Sequence, residues 1–359
     1  MGQAITFRIG IDVAKGVFQA HAVKVNEAGE PVAFKKRLKR AQMEAFFAKL
    51  PPSLIGMEAC SSAHYWARVA ERYGHQVRLM PPAYVKAYVK RNKTDAIDAE
   101  AICEALSRPT MRFVPVKSEA DQALVALHRM RASFVEKRTA AANQLRAELA
   151  EFGIVAPVGK RGLGELLALV EPDPETGAET ERFASLPRPL RLLLTELARQ
   201  WRSCNEAVHG MGREIEMGVK KNARAMRLTA VPCIGPIAAS VIDAMLPDPQ
   251  VFKSGRHYAA FLGLTPREDS SGKTVRRGPI TKKGDTYLRR ILVLGATSYL
   301  AAVRRGKVKG VSAWVARMAA HPKRKLAAVA LANKTARVAW AMLAKGKDYR
   351  APTAMSAAG

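Results

Sequence analysis

FRIGIDVAKG, residues 7–16, is an apolar run rich in β-branched side chains that ends on one acid, Asp12, and then turns at Gly16. Such a run reads as a buried strand entering a tight turn. LIGMEACSS, residues 54–62, repeats the pattern: Leu54, Ile55, Gly56 and Met57 lead to Glu58. Both acids stand at the end of a core strand, where packing alone would favour an apolar residue. Working outward, strands are predicted at Phe7–Val13, Val17–Val25, Val32–Arg37, Leu54–Glu58 and Gln76–Met80, with helices near 41–49, 61–73 and 95–107. Three strands in hairpin succession followed by βα units predict a mixed sheet flanked by helices.

A second pair of acids lies in NKTDAIDAEAI, residues 92–102. Thr94 reads as an N-cap, which puts Asp95 and Asp98 at i and i+3 on the first helical turn, pointing the same way. Acids in a first turn are also favoured simply by the helix dipole. Four acids gathered together need more, because like charges a few ångströms apart repel unless a cation neutralises them. An all-oxygen set suits Mg²⁺ or Mn²⁺, and such ions activate the attacking oxygen and stabilise the leaving oxygen of a phosphodiester. Asp12, Glu58, Asp95 and Asp98 are therefore the candidate metal ligands. His64, one helix after Glu58, reads as a packed or hydrogen-bonded helix residue rather than a fifth ligand.

The charge is strongly uneven. The net charge is +28, and residues 251–350 hold 23 Lys and Arg against Glu268, Asp269, Asp285 and Asp348. A field of that size opposes compaction unless a polyanion meets it, and nucleic acid is the usual partner. No apolar run reaches the eighteen or so residues of a membrane span, and the basic stretches lack the aromatic face of an interfacial helix. With no signal peptide pattern, and with Cys60, Cys103, Cys204 and Cys233 scattered outside any metal or disulfide spacing, a reducing cytoplasmic setting is expected.

From Ser118 to Phe152 the pattern is helical, and residues 158–180 read as a connector rich in Pro, Gly and acids. A second long helix is predicted from Pro189 to Val219. Its Leu190, Leu194, Leu197, Trp201, Cys204, Val208, Met211 and Ile215 alternate four and three apart, the period of a coiled coil. Self-association is the expectation, with a hairpin against the 118–152 helix as the alternative.

Farther on, LTAVPCIGPIAASVIDAM resembles a helix-hairpin-helix, in which a glycine turn offers backbone N–H groups to a phosphate. Gly235 fits the turn, and Cys233 stands where that pattern usually has glycine. In DSSGKTVRRGPITKKGD, Ser270 and Ser271 lie among Arg267, Lys273, Arg276, Arg277, Lys282 and Lys283. Ser271-Gly272-Lys273-Thr274 imitates a phosphate loop, but Arg267 occupies the position of its first glycine, so no ATP use is expected. A hairpin turn with solvated charges accounts for the segment. So does a serine nucleophile among phosphate-binding cations, which would need a metal or a base to become reactive.

The order IGID, MEA, KTDAIDA, a helical middle, and then PCIG, FLGLTP, SSG, KKGD and LRR, spanning residues 7–345, resembles the DEDD insertion-sequence transposases, relatives of the Piv DNA invertase. It includes the subgroup reading AKGVFQAH in its first domain. The resemblance implies an α/β RNase H-like, RuvC-like domain over residues 1–115, whose Asp12, Glu58, Asp95 and Asp98 coordinate Mg²⁺. It implies a helical coiled-coil middle over 116–222 and a mostly helical transposase domain over 223–348; the residues of 349–359 themselves read as a disordered tail. It makes Ser271, the serine before glycine, the nucleophile of a 5′-phosphoserine intermediate, in a composite site joining the two domains. It also implies a noncoding bridge RNA, donor and target DNA, and dimers assembling into tetramers, in a bacterial, nucleoid-associated setting. Two rival readings stand beside it: a junction-resolving nuclease that uses water, and a nucleic-acid-binding protein without catalysis.

Overall fold

A computed structural model describes residues 5–25, 31–89, 94–173, 175–271, 274–308 and 310–351. The chain divides into two compact units, one of Met1–Gln122 with Leu246–Lys253, the other of Ala123–Met245 with Ser254–Gly359.

The first unit is built on a five-stranded mixed sheet. Its strands are β1 (Phe7–Asp12), β2 (Val17–Lys24), β3 (Val32–Lys39), β4 (Ser53–Glu58) and β5 (Gln76–Met80), in the order β3-β2-β1-β4-β5. β1, β2 and β3 run antiparallel in succession, whereas β4 and β5 are parallel to β1. Helices α1 (Met43–Lys49), α2 (Ala63–Arg72), α3 (Pro82–Val85) and α4 (Asp95–Leu106) complete it. This mixed sheet with flanking helices is consistent with an RNase H-like start to the chain. Ile9, Ile11, Phe18, Ile55, Met57 and Leu79 are fully buried, and Trp66 meets Phe18 edge-on at 5.3 Å between centroids. The edge strand β3 carries Lys35, Lys36, Arg37 and Lys39, charges that discourage pairing with a further strand.

Helix α5 (Glu119–Ala150) leads into the second unit, followed by α6 (Lys160–Val170), α7 (Glu181–Ala184), α8 (Arg188–Lys221), α9 (Ala223–Leu228), α10 (Pro236–Met245) and α11 (Gly255–Phe261). A short hairpin of β6 (Pro266–Glu268) and β7 (Arg277–Ile280) precedes α12 (Thr286–Arg304), α13 (Ala313–Ala320) and α14 (Arg324–Lys345). Among the described residues no helix is long and apolar enough to cross a membrane.

Two sequence expectations are corrected here. The connector expected at 158–180 contains α6, whose Leu166, Leu167 and Val170 are buried against Leu145, Leu149, Leu190 and Leu194. Its Gly162 is a contact residue: an added Cβ would stand 2.8 Å from the carbonyl carbon of Pro157. The heptad seam of α8 is met within the chain. Arg138 donates from Nη1 to Asn205 Oδ1 at 2.9 Å, a Cβ on Gly212 would lie 3.8 Å from Arg131 Nε, and Leu145 and Leu149 share a core with Leu194 and Leu197. Rising numbers on α5 thus meet falling numbers on α8, which makes the two an antiparallel hairpin.

Candidate active site

Asp12 closes β1 beside the end of β4, where Ile11 pairs with Met57, so Asp12 and Glu58 end adjacent parallel strands. Helix α4 packs across β1, β2 and β4. Gly10 permits this: a Cβ there would overlap the carbonyl oxygen of Ala99 and stand 3.0 Å from Cys103 Cα. Thr94 caps α4 by accepting from Ile97 N at 3.4 Å, placing Asp95 and Asp98 in its first turn.

Together these constraints bring one carboxylate oxygen each from Asp12, Asp95 and Asp98 within 4.8 Å of one another. Asp12 and Asp98 are half-buried and Asp95 is exposed. Glu58 is not among those three oxygens, although it lies near: burial first, then the charges of Glu58 and Asp12, push the Cys60 thiol above its ordinary pKa. Three hard oxygen donors of like charge fit a divalent cation such as Mg²⁺ or Mn²⁺, and poorly fit a softer metal that prefers thiolate or imidazole. His64 is engaged elsewhere, its Nδ1 accepting from the Lys117 backbone N–H at 3.2 Å.

In the second unit, β6 and β7 form the base of a hairpin that carries both serines. Ser271 and Thr274 bridge with backbone hydrogen bonds of 3.2 and 3.1 Å, and Asp269 N donates to Arg276 O at 3.0 Å. The hydroxyl of Ser270 is spent inside the hairpin, donating to Glu268 Oε1 at 3.2 Å and accepting from Arg276 N at 3.3 Å. Ser271 is exposed, and among the described residues its hydroxyl makes no hydrogen bond. Arg267, Arg276, Arg277, Lys282 and Lys283 are all exposed along this segment; Lys273 lies outside the described residues.

The loop below the hairpin is braced by Arg289, a residue not singled out from the sequence. Its Nη1 donates to the carbonyls of Leu262 and Lys283, both at 3.1 Å, and its side chain is buried. Gly263 and Gly284 both have positive φ, at 71° and 84°, and a Cβ on Gly263 would stand 2.6 Å from Lys283 N. FLGLTP and KKGD are thus two halves of one tight crossing. Gly263 and Gly284 are what permit it, and nothing in the sequence marked Arg289 beyond its place in LRR.

Between α9 and α10 the tight turn is present, but its left-handed residue is Cys233, at φ 79°, and not Gly235. This turn lies against α12, since a Cβ on Gly295 would come 3.3 Å from the Cys233 carbonyl carbon.

Two family profiles match the chain, one described as "Transposase IS116/IS110/IS902 family" over residues 225–309 and one described as "Transposase", of the DEDD IS110 type, over residues 9–154. A "Probable family 20 transposase" of Pseudomonas aeruginosa is 46% identical over 343 residues, 96% of this chain and 98% of that protein. The chain belongs to the IS110/IS116/IS902 family of insertion-sequence transposases. The transposase is also 38% identical to the "Transposase for insertion sequence element IS1328" of Yersinia enterocolitica, over 95% of this chain and 98% of the other. More distantly, a "Pilin gene-inverting protein" of Moraxella lacunata is 22% identical over 95% of this chain and 97% of its own length. The 9–154 match contains Asp12, Glu58, Asp95 and Asp98, and the 225–309 match contains most of α9 and all of α10 through α12, with Ser271 and its neighbouring cations.

Proposed function

We propose that this transposase cuts and rejoins DNA through a covalent link to Ser271, with a divalent cation held by Asp12, Asp95 and Asp98 and assisted by Glu58. The observation that carries the reading is the gathering of one oxygen from each of those three carboxylates within 4.8 Å, an all-oxygen donor set that suits a hard divalent cation. Mg²⁺ bound there would lower the proton affinity of an oxygen it coordinates and stabilise negative charge on an oxygen leaving phosphorus. The Ser271 hydroxyl attacks a backbone phosphate: the Oγ–P bond forms, the P–O3′ bond breaks, the serine proton is released and the departing 3′ oxygen gains one. The products are a 5′-phosphoserine and a free 3′-OH, and reversal onto another 3′-OH rejoins the strand. Because the phosphodiester energy stays in the serine ester, no ATP is consumed.

Supporting Ser271 over Ser270 is the difference in their hydroxyls, one committed to Glu268 and Arg276 and the other exposed. Arg267, Lys273, Arg276 and Arg277 hold the reacting phosphate by charge-assisted hydrogen bonds, with Lys282 and Lys283 along the flanking strand. The turn that includes Gly235 meets a neighbouring backbone phosphate. Residues 1–115 carry the acids, 116–222 the helical hairpin that α5 and α8 form within the chain, and 223–348 the serine. The net charge of +28 supports a second polyanion beside DNA, and we assign it to a noncoding guide RNA that pairs with donor and target DNA. The name of the Moraxella relative supports inversion as a reaction open to the same chemistry.

The test is a covalent-adduct assay with purified protein, its copurified RNA, labelled element-end DNA and Mg²⁺. DNA attached to protein after denaturation, lost in both Ser271→Ala and Asp12→Ala, is expected. Cleavage without an adduct, undiminished in Ser271→Ala, would replace this reading with a water-using nuclease.

A further inference from the structure

The second unit holds an open cavity of about 670 Å³ between α11, α13 and α14, lined by none of the residues of the serine hairpin. Its volume falls within the ~300–1,000 Å³ of small-molecule sites. Two of the chain's four tryptophans line it, Trp314 on α13 and Trp340 on α14, and both are half-buried rather than packed away. Beside them stand Arg256, Asn333, Lys334 and Arg337, and no acid is among the described lining residues. Asn333, Arg337 and Trp340 recur at helical spacing on α14, so they share one face. The cavity wall depends on Gly255, whose added Cβ would come 3.0 Å from the Arg337 carbonyl oxygen, so α11 lies close against α14.

We propose that this cavity binds an unpaired nucleotide of a single strand, its base against the indoles and its phosphate on Arg256 and Arg337. In a duplex both faces of every base are already stacked; a splayed-out base has a free π-face, and an aromatic wall with cations at its rim is the surface that recognises it. The Lys334 ammonium now sits 4.3 Å from the Trp314 ring centroid. Base–indole stacking is the stronger of the two contacts, so an entering base displaces the ammonium, which then turns to the phosphate. An acidic peptide would use the cations but leave the indoles without a planar partner. The assignment rests on the recombinase reading, in which single strands of RNA or opened DNA meet the protein.

The experiment measures affinities of the full-length protein for labelled oligouridine, labelled oligothymidine and a blunt DNA duplex at one fixed salt concentration. Trp314→Ala and Arg337→Ala are expected to weaken single-strand binding about tenfold or more, while Trp314→Phe, which keeps a ring, restores most of it and duplex affinity stays within about twofold. Loss confined to oligouridine identifies the strand as RNA; loss for both oligonucleotides identifies any unpaired strand. Unchanged single-strand affinity in both alanine variants, or an equal fall for duplex, overturns the proposal. The adduct assay on the same preparations separates the two readings: adducts can persist while the cavity proposal fails, or be absent while the cavity still discriminates strands.

Discussion

Gly10 and Ala99 touch across the β1–α4 interface so closely that Gly10 has no room for a side chain. The obstacle is the carbonyl oxygen of Ala99 and the backbone of Cys103, which cannot rotate aside. Gly10→Ala must therefore shift α4, the helix that carries Asp95 and Asp98, off the strand that carries Asp12. We expect a loss of about 1–3 kcal/mol of stability and of Mn²⁺ binding, measured by thermal melting and by titration of the metal. Gly16→Ala is the control, because nothing lies within 4 Å of its Cβ position, and it should leave both unchanged.

A cation that binds only the folded carboxylate cluster raises stability by mass action. At a free concentration of Mn²⁺ about a hundredfold above its dissociation constant, the gain is about 2.7 kcal/mol. The wild-type melting temperature should rise on adding Mn²⁺ or Mg²⁺ and fall back with EDTA. In Asp98→Asn most of that rise should vanish, and a rise of wild-type size would remove Asp98 from the site.

Much of this was legible in the chain, for identifiable reasons. The strands ending at Asp12 and Glu58 carry alternating or continuous apolar runs that only a sheet buries, and Thr94 does cap α4. Helix α6 was hidden because Gly159, Gly162 and Gly164 outweighed the helical spacing of Leu163, Leu166, Leu167 and Val170; Gly162 is there to let the helix approach Pro157. The heptads of α8 could not by themselves name their partner, since a seam met by α5 reads like one met by a second chain. Cys233 was recognisable as an exception to a glycine position, and its left-handed backbone shows why glycine is usual there. Arg289 was illegible because its partners are backbone carbonyls brought in by a distant loop.

The two serines of the hairpin should separate by different losses. Ser270→Ala removes the acceptor of Arg276 N and a bond to Glu268, so it should cost about 0.5–1.5 kcal/mol while adduct formation persists. Ser271→Ala should leave the melting temperature within about a degree of wild type, a shift well under ~0.5 kcal/mol, and abolish the adduct. An adduct that survives Ser271→Ala and disappears in Ser270→Ala would reverse the assignment.

Fully buried His128 on α5 hydrogen-bonds Tyr287 Oη at 3.1 Å and Ser240 Oγ at 3.0 Å, tying α12 and α10 to α5. Burial, and then the nearby Arg131 charge, push its pKa down to about 4 from an ordinary 6.5. Between those values the unfolded imidazole binds a proton that the folded one refuses, so stability falls as pH drops. The loss is nil above the unfolded pKa and reaches on the order of 3 kcal/mol near the folded one. Urea midpoints should fall on acidification from neutral pH toward the folded pKa, and His128→Gln, less stable at neutral pH, should show a flatter dependence.

Arg289 and Arg290 are neighbours in sequence with opposite roles. Arg289 is buried and satisfies the carbonyls of Leu262 and Lys283, with Nη2 donating to Thr286 Oγ1 at 3.2 Å. Removing it strands one buried and one partly buried acceptor at the crossing that supports the serine hairpin. Arg290 pairs with Glu136 at 3.1 Å in the open, with side chains 51% and 66% exposed. Arg289→Ala should therefore cost about 2–4 kcal/mol and reduce adduct formation through the loop, whereas Arg290→Ala should cost less than about 1 kcal/mol. Arg289→Lys should fall between, because one ammonium on a flexible stem cannot reproduce the fixed fork that reaches both carbonyls and the threonine. Equal melting temperatures for Arg289→Ala and Arg290→Ala would show that the loop is held by its glycines alone.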